Sequence, residues 1–317
     1  MAIRTAICDL LGIEHPVILG GMLGVSNGPL AAAVSEAGGL GTISTATFGP
    51  DGTRAEIEKI QSLTDKPFSV NVPVFHPAAA EMISLLPECG VKIVTTAAGD
   101  PGKFTATLKE MGITVLHVVP SLRAAMKASA SGVDALVVEG IESGGKVSRD
   151  EIPVISLIPQ VADRVEIPVV GAGGLADGRG LLAVLALGAQ AAQLGTRFIA
   201  TEEAPVHPNW KRVLIEAGDA ATGVACRISS PTRMIRNQFF AELDAADSPG
   251  KGPLDFLPLQ GAGMSRIPDD PDGSLGNYVA GTGAGLIHEI LPAGEVVREL
   301  VRDAERDLAR LQRVFTN

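Results

Sequence analysis

Residues 168–200 read PVVGAGGLADGRGLLAVLALGAQAAQLGTRFIA. A β-branched run ends in a glycine corner at Gly173-Gly174, and an alanine- and leucine-rich helix follows it. A second short strand at 191–194 ends in a second corner at Gly195-Thr196. Two successive strand ends therefore present small residues and bare backbone N–H groups on one side of a parallel sheet. At the seventh and eighth strands of a (β/α)8 barrel, such corners build a phosphate cradle on the catalytic face. The expectation is a barrel that holds a phosphorylated ligand.

The same alternation extends outward in both directions. Short apolar strands are expected at 17–19, 41–44, 68–72, 92–95, 114–119, 135–139, 168–171 and 191–194. Amphipathic helices at 29–37, 53–63, 77–89, 102–111 and 122–131 lie between them, and four end in glycine (Gly38, Gly90, Gly112, Gly132), the residue that suits a left-handed helix C-terminus. Strands that are continuously apolar, rather than alternating, belong to a parallel sheet covered on both faces. A doubly wound sheet uses the same units. Eight repeats with paired corners at the last two strands favour an α/β fold of the (β/α)8 TIM barrel type.

After Ala200 the alternation stops. Residues 205–285 carry the only Trp (Trp210), helical runs at 210–217 and 231–243, and the proline- and glycine-rich stretch SPGKGPLDFLPLQGAG. They read as a helical insertion lying over the catalytic face as a substrate lid. Residues 1–204 and 286–317 form the barrel, with the charged amphipathic run 293–314 as its closing helix.

Composition narrows the partners. The chain has 317 residues, 46% hydrophobic, with a net charge of −10 and only 3% aromatic residues. Scattered cations in an acidic chain argue against nucleic acid and anionic membrane surfaces, and so few rings cannot stack bases. The three cysteines, Cys8, Cys89 and Cys226, are widely spaced, which supports neither a disulfide framework nor a metal site. Reduced thiols, no signal peptide and no long apolar run are the signs of a cytoplasmic protein that acts on a small molecule. The oligomeric state is not legible, and a homodimer stays open.

Several segments then fall in register with a known pattern: GGMLGVSNGPLAAAVSEAGGLGTIST (20–45), KPFSVNVPV (66–74), TTAAGDPGKF (95–104), EGIESGGKVS (139–148), PVVGAGGLADGRG, AAQLGTRFIATEEAPVHPNWK and GTGAGLI (281–287). Together they resemble the nitronate monooxygenase (2-nitropropane dioxygenase) family and its sister, the flavin-dependent enoyl-acyl-carrier-protein reductase II, over nearly the whole chain. The resemblance implies an FMN-binding barrel. Gly20, Gly21 and Met22 would run along the flavin ring, and Asn71 would hydrogen-bond it. Glu139, Gly144 and Gly145 would shape the loop beside it, while Gly173, Gly174, Gly195 and Thr196 would hold the phosphate. Glycine corners suit a dianion on their own physics, because no Cβ blocks its approach to the amides.

The departure from pattern lies at residue 146. Relatives end the loop after the sixth strand with GGH, whose histidine is the expected acid/base, whereas this chain ends it Gly144-Gly145-Lys146. Lysine, with an ordinary pKa of ~10.4, is a base near neutrality only when desolvated or beside another cation; otherwise it stays charged and stabilises an anion. Of the five histidines, His76, just past the third strand, is the candidate acid; His117 reads as a core residue, and His207 as a helix cap. Arg227 and Arg233 in the insertion are either salt-bridge partners or contacts for an anionic handle. The reading is an oxidoreductase that oxidises a nitronate-type carbanion through FMN with oxygen as acceptor. Its rival is an NAD(P)H-dependent flavin reductase or dehydrogenase acting on an enoyl or acyl thioester, such as a coenzyme A thioester, or on a quinone.

Overall fold

The computed structural model describes residues 3–316. Nine short strands run through the first two-thirds of the chain: β1 Val17–Leu19, β2 Gly41–Ser44, β3 Phe68–Pro73, β4 Ile93–Ala97, β5 Thr114–Val119, β6 Ala135–Glu139, β7 Gly145–Lys146, β8 Val169–Ala172 and β9 Ala191–Leu194. All but β7 form one parallel sheet in the order β1-β9-β8-β6-β5-β4-β3-β2. A parallel bridge from Ile18 to Leu40 joins its two edges, with the Leu19 amide donating to the Leu40 carbonyl and the Leu40 amide to that of Val17, both at 2.9 Å. The sheet therefore closes, and the fold is the (β/α)8 TIM barrel expected from the alternation.

Register sorts the side chains into two cores. Inward-facing Ile18, Leu40, Ile93, Leu116, Val137, Val170 and Ala191 pack with Ile7, Cys8, Leu11 and Ile13, so the Ala6–Leu11 helix plugs the bottom of the barrel. Outward-facing neighbours such as Ile43, Val70, Val94, Val115 and Val138 pack against the ring of helices. Each large aliphatic side chain buried in this way contributes ~1.5–3 kcal/mol. Helix and strand approach closely where the sequence supplies glycine: a Cβ at Gly41 would lie 1.9 Å from the Ala31 carbonyl oxygen. The last helix, Ala293–Thr316, packs on the Gly178–Ala186 and Gly28–Glu36 helices and completes the ring.

Within residues 205–285 lie the helices Pro208–Ile215, Gln238–Ala245 and Leu257–Arg266, and also two strands, β10 Thr222–Ala225 and β11 Thr232–Ile235. β11 pairs antiparallel with β10 on one side and with β7 on the other. The helical run expected at 231–243 is thus corrected: its first part is strand, and the helix starts only after Asn237, whose side chain accepts from the Phe240 amide at 2.9 Å. A hairpin partner, β10, and a remote strand, β7, flank the segment, and ladder bonds to them outweigh its local helical preference. Among the described residues, no helix is long and apolar enough to cross a membrane, no acidic, His or Cys group could hold a metal ion, and Cys8, Cys89 and Cys226 are free.

Candidate active site

The mouth of the barrel is built where the inward-facing row of each strand runs out. On β2, β3 and β4 this row turns polar: Thr42 and Ser44 stand beside Ser69 and Asn71, which stand beside Ile93 and Thr95. The Ser69 and Thr95 hydroxyls lie 3.0 Å apart, and the Asn71 amide nitrogen donates to the Thr95 carbonyl at 3.3 Å. Across the barrel, β6 ends inward at Glu139, in register with Ala172 of β8, and Ala172 is in turn in register with Gln193 of β9.

The loop after β1 closes this ring with bare backbone. The Gly20 amide donates to the Leu194 carbonyl at 2.9 Å. Gly21 lies flat on Asn71, so that a Cβ there would come within 2.4 Å of Asn71 Cγ. Ser26 clamps the loop: its hydroxyl donates to the Gly20 carbonyl at 2.7 Å and accepts from the Met22 amide at 3.0 Å. The Met22 sulfur reaches across to Gly195, 3.2 Å from where a Cβ would stand.

The two expected corners meet a third glycine-rich segment. Gly173 and Gly174 have φ of 116° and 71°, which a side chain would strain. A Cβ on Gly173 would lie 3.1 Å from the Ser143 hydroxyl oxygen, and one on Gly174 would lie 3.0 Å from Cβ of Glu142 and from the Thr282 hydroxyl. The Thr196 hydroxyl accepts from the Gly281 amide at 2.9 Å, leaving its proton to donate elsewhere. The Thr196–Ile199 turn begins at Gly195, and the amides of its first residues have no preceding helical carbonyl to bond. Gly144 lies on Gly281, 2.7 Å from a Cβ to that amide. Four chain segments, around residues 142–145, 173–174, 195–196 and 281–283, thus converge with almost only glycine between them.

Glu139 is half-buried, and the protein around its carboxyl pushes the pKa up to about 7, the Ser143 hydroxyl offsetting part of the rise. Lys146 points elsewhere. Its ammonium donates to the Ser230 hydroxyl at 2.6 Å and to the Thr232 hydroxyl at 2.9 Å, and lies 5.8 Å from the Phe256 ring centre. Desolvation under the insertion lowers its pKa, with the Cys226 thiol pulling the other way. His76 sits in the turn after β3, where its Nδ1 accepts from the Ala78 amide at 3.2 Å. Neither hydrogen-bond set joins the ring at the mouth. His117 faces outward, 2.7 Å from the Thr96 hydroxyl, and burial lowers its pKa to about 4 while Asp100 pulls the other way. His207 caps the Pro208–Ile215 helix, accepting from Asn209 at 3.2 Å.

Arginines on both sides strap the insertion to the loops after β6 and β7. Arg233 donates to the Ile141 carbonyl at 2.9 Å and to the Thr222 hydroxyl at 3.1 Å, Arg227 pairs with Glu151, and Arg149 donates to the Ser229 carbonyl. The sequence reading passed over Ser26, Ser44 and Gln193. The period of two is the signal that finds the last two: Gln193 stands two places along from inward Ala191 in AAQL, and Ser44 two along from inward Thr42 in GTIS.

The sequence model of the nitronate monooxygenase family matches residues 4–88 and 81–303. The chain belongs to the nitronate monooxygenase family. It is an oxidoreductase, and a nitronate monooxygenase of Paraburkholderia phytofirmans is 33% identical to it over 99% of this chain and 98% of its own. An octahydro-indene-carboxyl-CoA dehydrogenase of Mycobacterium tuberculosis is 37% identical over 77% of this chain and 70% of its own. Among solved structures, FabK from Thermotoga maritima superposes with a TM-score of 0.91 at 37% identity, covering 98% of this chain and 99% of that one.

Proposed function

We propose that this chain is an FMN-dependent oxidoreductase that takes an electron pair from a carbanion-like, nitronate-type substrate, with oxygen as the acceptor. The observation that carries the reading is the mouth itself: a side-chain-free wall at Gly20-Gly21 faces a polar row, beside a corner where four glycine segments converge. The residues fit the cofactor. The Ser44 and Thr42 hydroxyls are buried and, among the described residues, have no hydrogen-bond partner. An unpaired buried donor costs ~1–3 kcal/mol, so the polar row favours a polar occupant. When bound, FMN supplies the two-electron chemistry.

In this reading Gly20, Gly21, Met22, Asn71 and Gln193 hold the flavin ring, and Gly173, Gly174, Gly195 and Thr196 hold the phosphate. Glu139, Gly144 and Gly145 shape the loop between, and residues 205–285 act as the lid. A nitronate is already an anion, so its oxidation requires no base at residue 146. The Lys146 ammonium then serves as fixed positive charge near the lid, and His76 as a turn residue at the rim. The second reading, an NAD(P)H-linked dehydrogenase or reductase of acyl thioesters, draws support from the two relatives at 37% identity. Anaerobic mixing of the yellow protein with a nitronate, NADH or NADPH tests both: bleaching by the nitronate supports the first, and bleaching only by a nicotinamide supports the second. A colourless protein that ignores added FMN refutes both.

A further inference from the structure

We propose that Glu139, with the Ser143 hydroxyl beside it, is the residue that accepts the substrate proton in this pocket, taking the part that residue 146 plays in the GGH pattern. The inference rests on the FMN reading above. Its basis is position. Glu139 is the last residue of β6, faces inward opposite Ala172, and stands at the mouth where the inward-facing row ends.

The charged groups on neighbouring elements are engaged elsewhere. Lys146 is bound by Ser230 and Thr232, and Arg233 by the Ile141 carbonyl and Thr222. Both oxygens of Glu142 lie 3.0 Å from the Val154 amide. On β5, His117 faces outward toward Thr96, and past β3 the His76 Nδ1 is occupied by Ala78. Among the described residues no cation acts on the Glu139 carboxyl, and burial brings it to about 7, where an acid/base group works best near neutral pH. Lys146, held by Ser230 and Thr232 of the insertion, lies outside the ring of residues at the mouth.

The step balances without any oxidant. A substrate C–H bond breaks, its electron pair stays on carbon as the carbanion, and the proton forms an O–H bond on the Glu139 carboxylate. Water later removes that proton. Neutral carbon acids then become substrates once Glu139 is ionised, while preformed anions bypass it.

The test compares a neutral nitroalkane with its preformed nitronate across neutral pH. In the wild type, kcat/KM for the neutral form rises with pH and levels off above about 7. Glu139→Gln removes that limb and lowers kcat/KM for the neutral form by ~10²–10⁴-fold more than it lowers that for the nitronate. Glu139→Asp restores the limb. Loss of both substrates alike in Glu139→Gln without rescue by Glu139→Asp overturns the proposal, as does a limb that vanishes in Lys146→Gln instead. A second readout is infrared: wild type minus Glu139→Gln, without added FMN, shows a carboxylic-acid carbonyl band that fades near pH 7. A yellow protein lacking that band overturns the proposal and leaves the FMN reading intact. A protein that takes up no FMN overturns the reading beneath it, even with the band present.

Discussion

Adding one methyl group at Gly21 tests the wall of the mouth. A Cβ there would stand 2.4 Å from Cγ and 2.5 Å from Cβ of Asn71, where ordinary contact begins at 3.4 Å. About an ångström must be made up by displacement, and neither side yields easily. Asn71 is fixed in β3 and bonded to the Thr95 carbonyl, while the Gly21 loop is clamped by Ser26. Overpacking of this kind costs ~1–3 kcal/mol, which falls on whatever the wall and Asn71 jointly bind and lowers FMN affinity ~5–150-fold. The control is Gly261→Ala, on the exposed side of the Leu257–Arg266 helix, whose Cβ would meet nothing within 4 Å. That change leaves FMN affinity within ~0.5 kcal/mol. Quenching of flavin fluorescence gives both affinities, and thermal melts report the fold. If Gly21→Ala binds FMN as tightly as the wild type, or if Gly261→Ala is the worse of the two, the ring does not lie along this wall.

Further outcomes are expected. The unfolded chain takes up a proton at His117 before the folded one does, so stability from this residue falls as pH drops from 6.5 toward 4, by about 2 kcal/mol at pH 5; the difference between wild type and His117→Gln in urea titrations reads it. Glu139 acts with opposite sign: its contribution is complete below the ordinary carboxyl pKa of 4.5 and is lost as pH rises through about 7, so Glu139→Gln should exceed wild-type stability by ~1–2 kcal/mol at pH 8 and match it at pH 4.5. Asp270 accepts from the amides of Ser274, Leu275 and Gly276 at 3.0, 2.9 and 2.7 Å and from the Tyr278 hydroxyl at 2.9 Å, so Asp270→Asn, which turns a donor toward donors, should cost about 3 kcal/mol in the same titrations. Lys146→Ala should leave FMN affinity unchanged and slow nitronate turnover about tenfold, the scale of one partly screened charge, and raising the salt concentration should shrink that gap.

The barrel was legible because its signals are local. Strand after strand, short apolar runs stop at turn residues, and the four glycines expected at helix ends all adopt positive φ. The corners at residues 173–174 and 195–196 were equally plain. What stayed hidden depends on remote pairing. β11 looks helical in CRISSPTRMIRNQ because one partner, Gly145, lies nearly ninety residues away, and the other, Gly223, stands just before that stretch. The direction of Lys146 was hidden for the same reason, since Ser230 and Thr232 hold it only once that strand has formed. GTGAGLI was noticed as a pattern, but its meeting with Thr196 across the mouth belongs to tertiary structure alone.

The helix spanning residues 293–316 also constrains when the molecule can mature. It lies between the helices Gly28–Glu36 and Gly178–Ala186, and a Cβ on Gly178 would come within 2.4 Å of the Ala304 amide nitrogen. Until those residues leave the ribosome, a nascent chain carries two greasy flanks with nothing to cover them. Such a chain waits on a helix made long after the two it covers, and a stop codon just before residue 293 would leave an assembly prone to clumping rather than a slightly weaker enzyme.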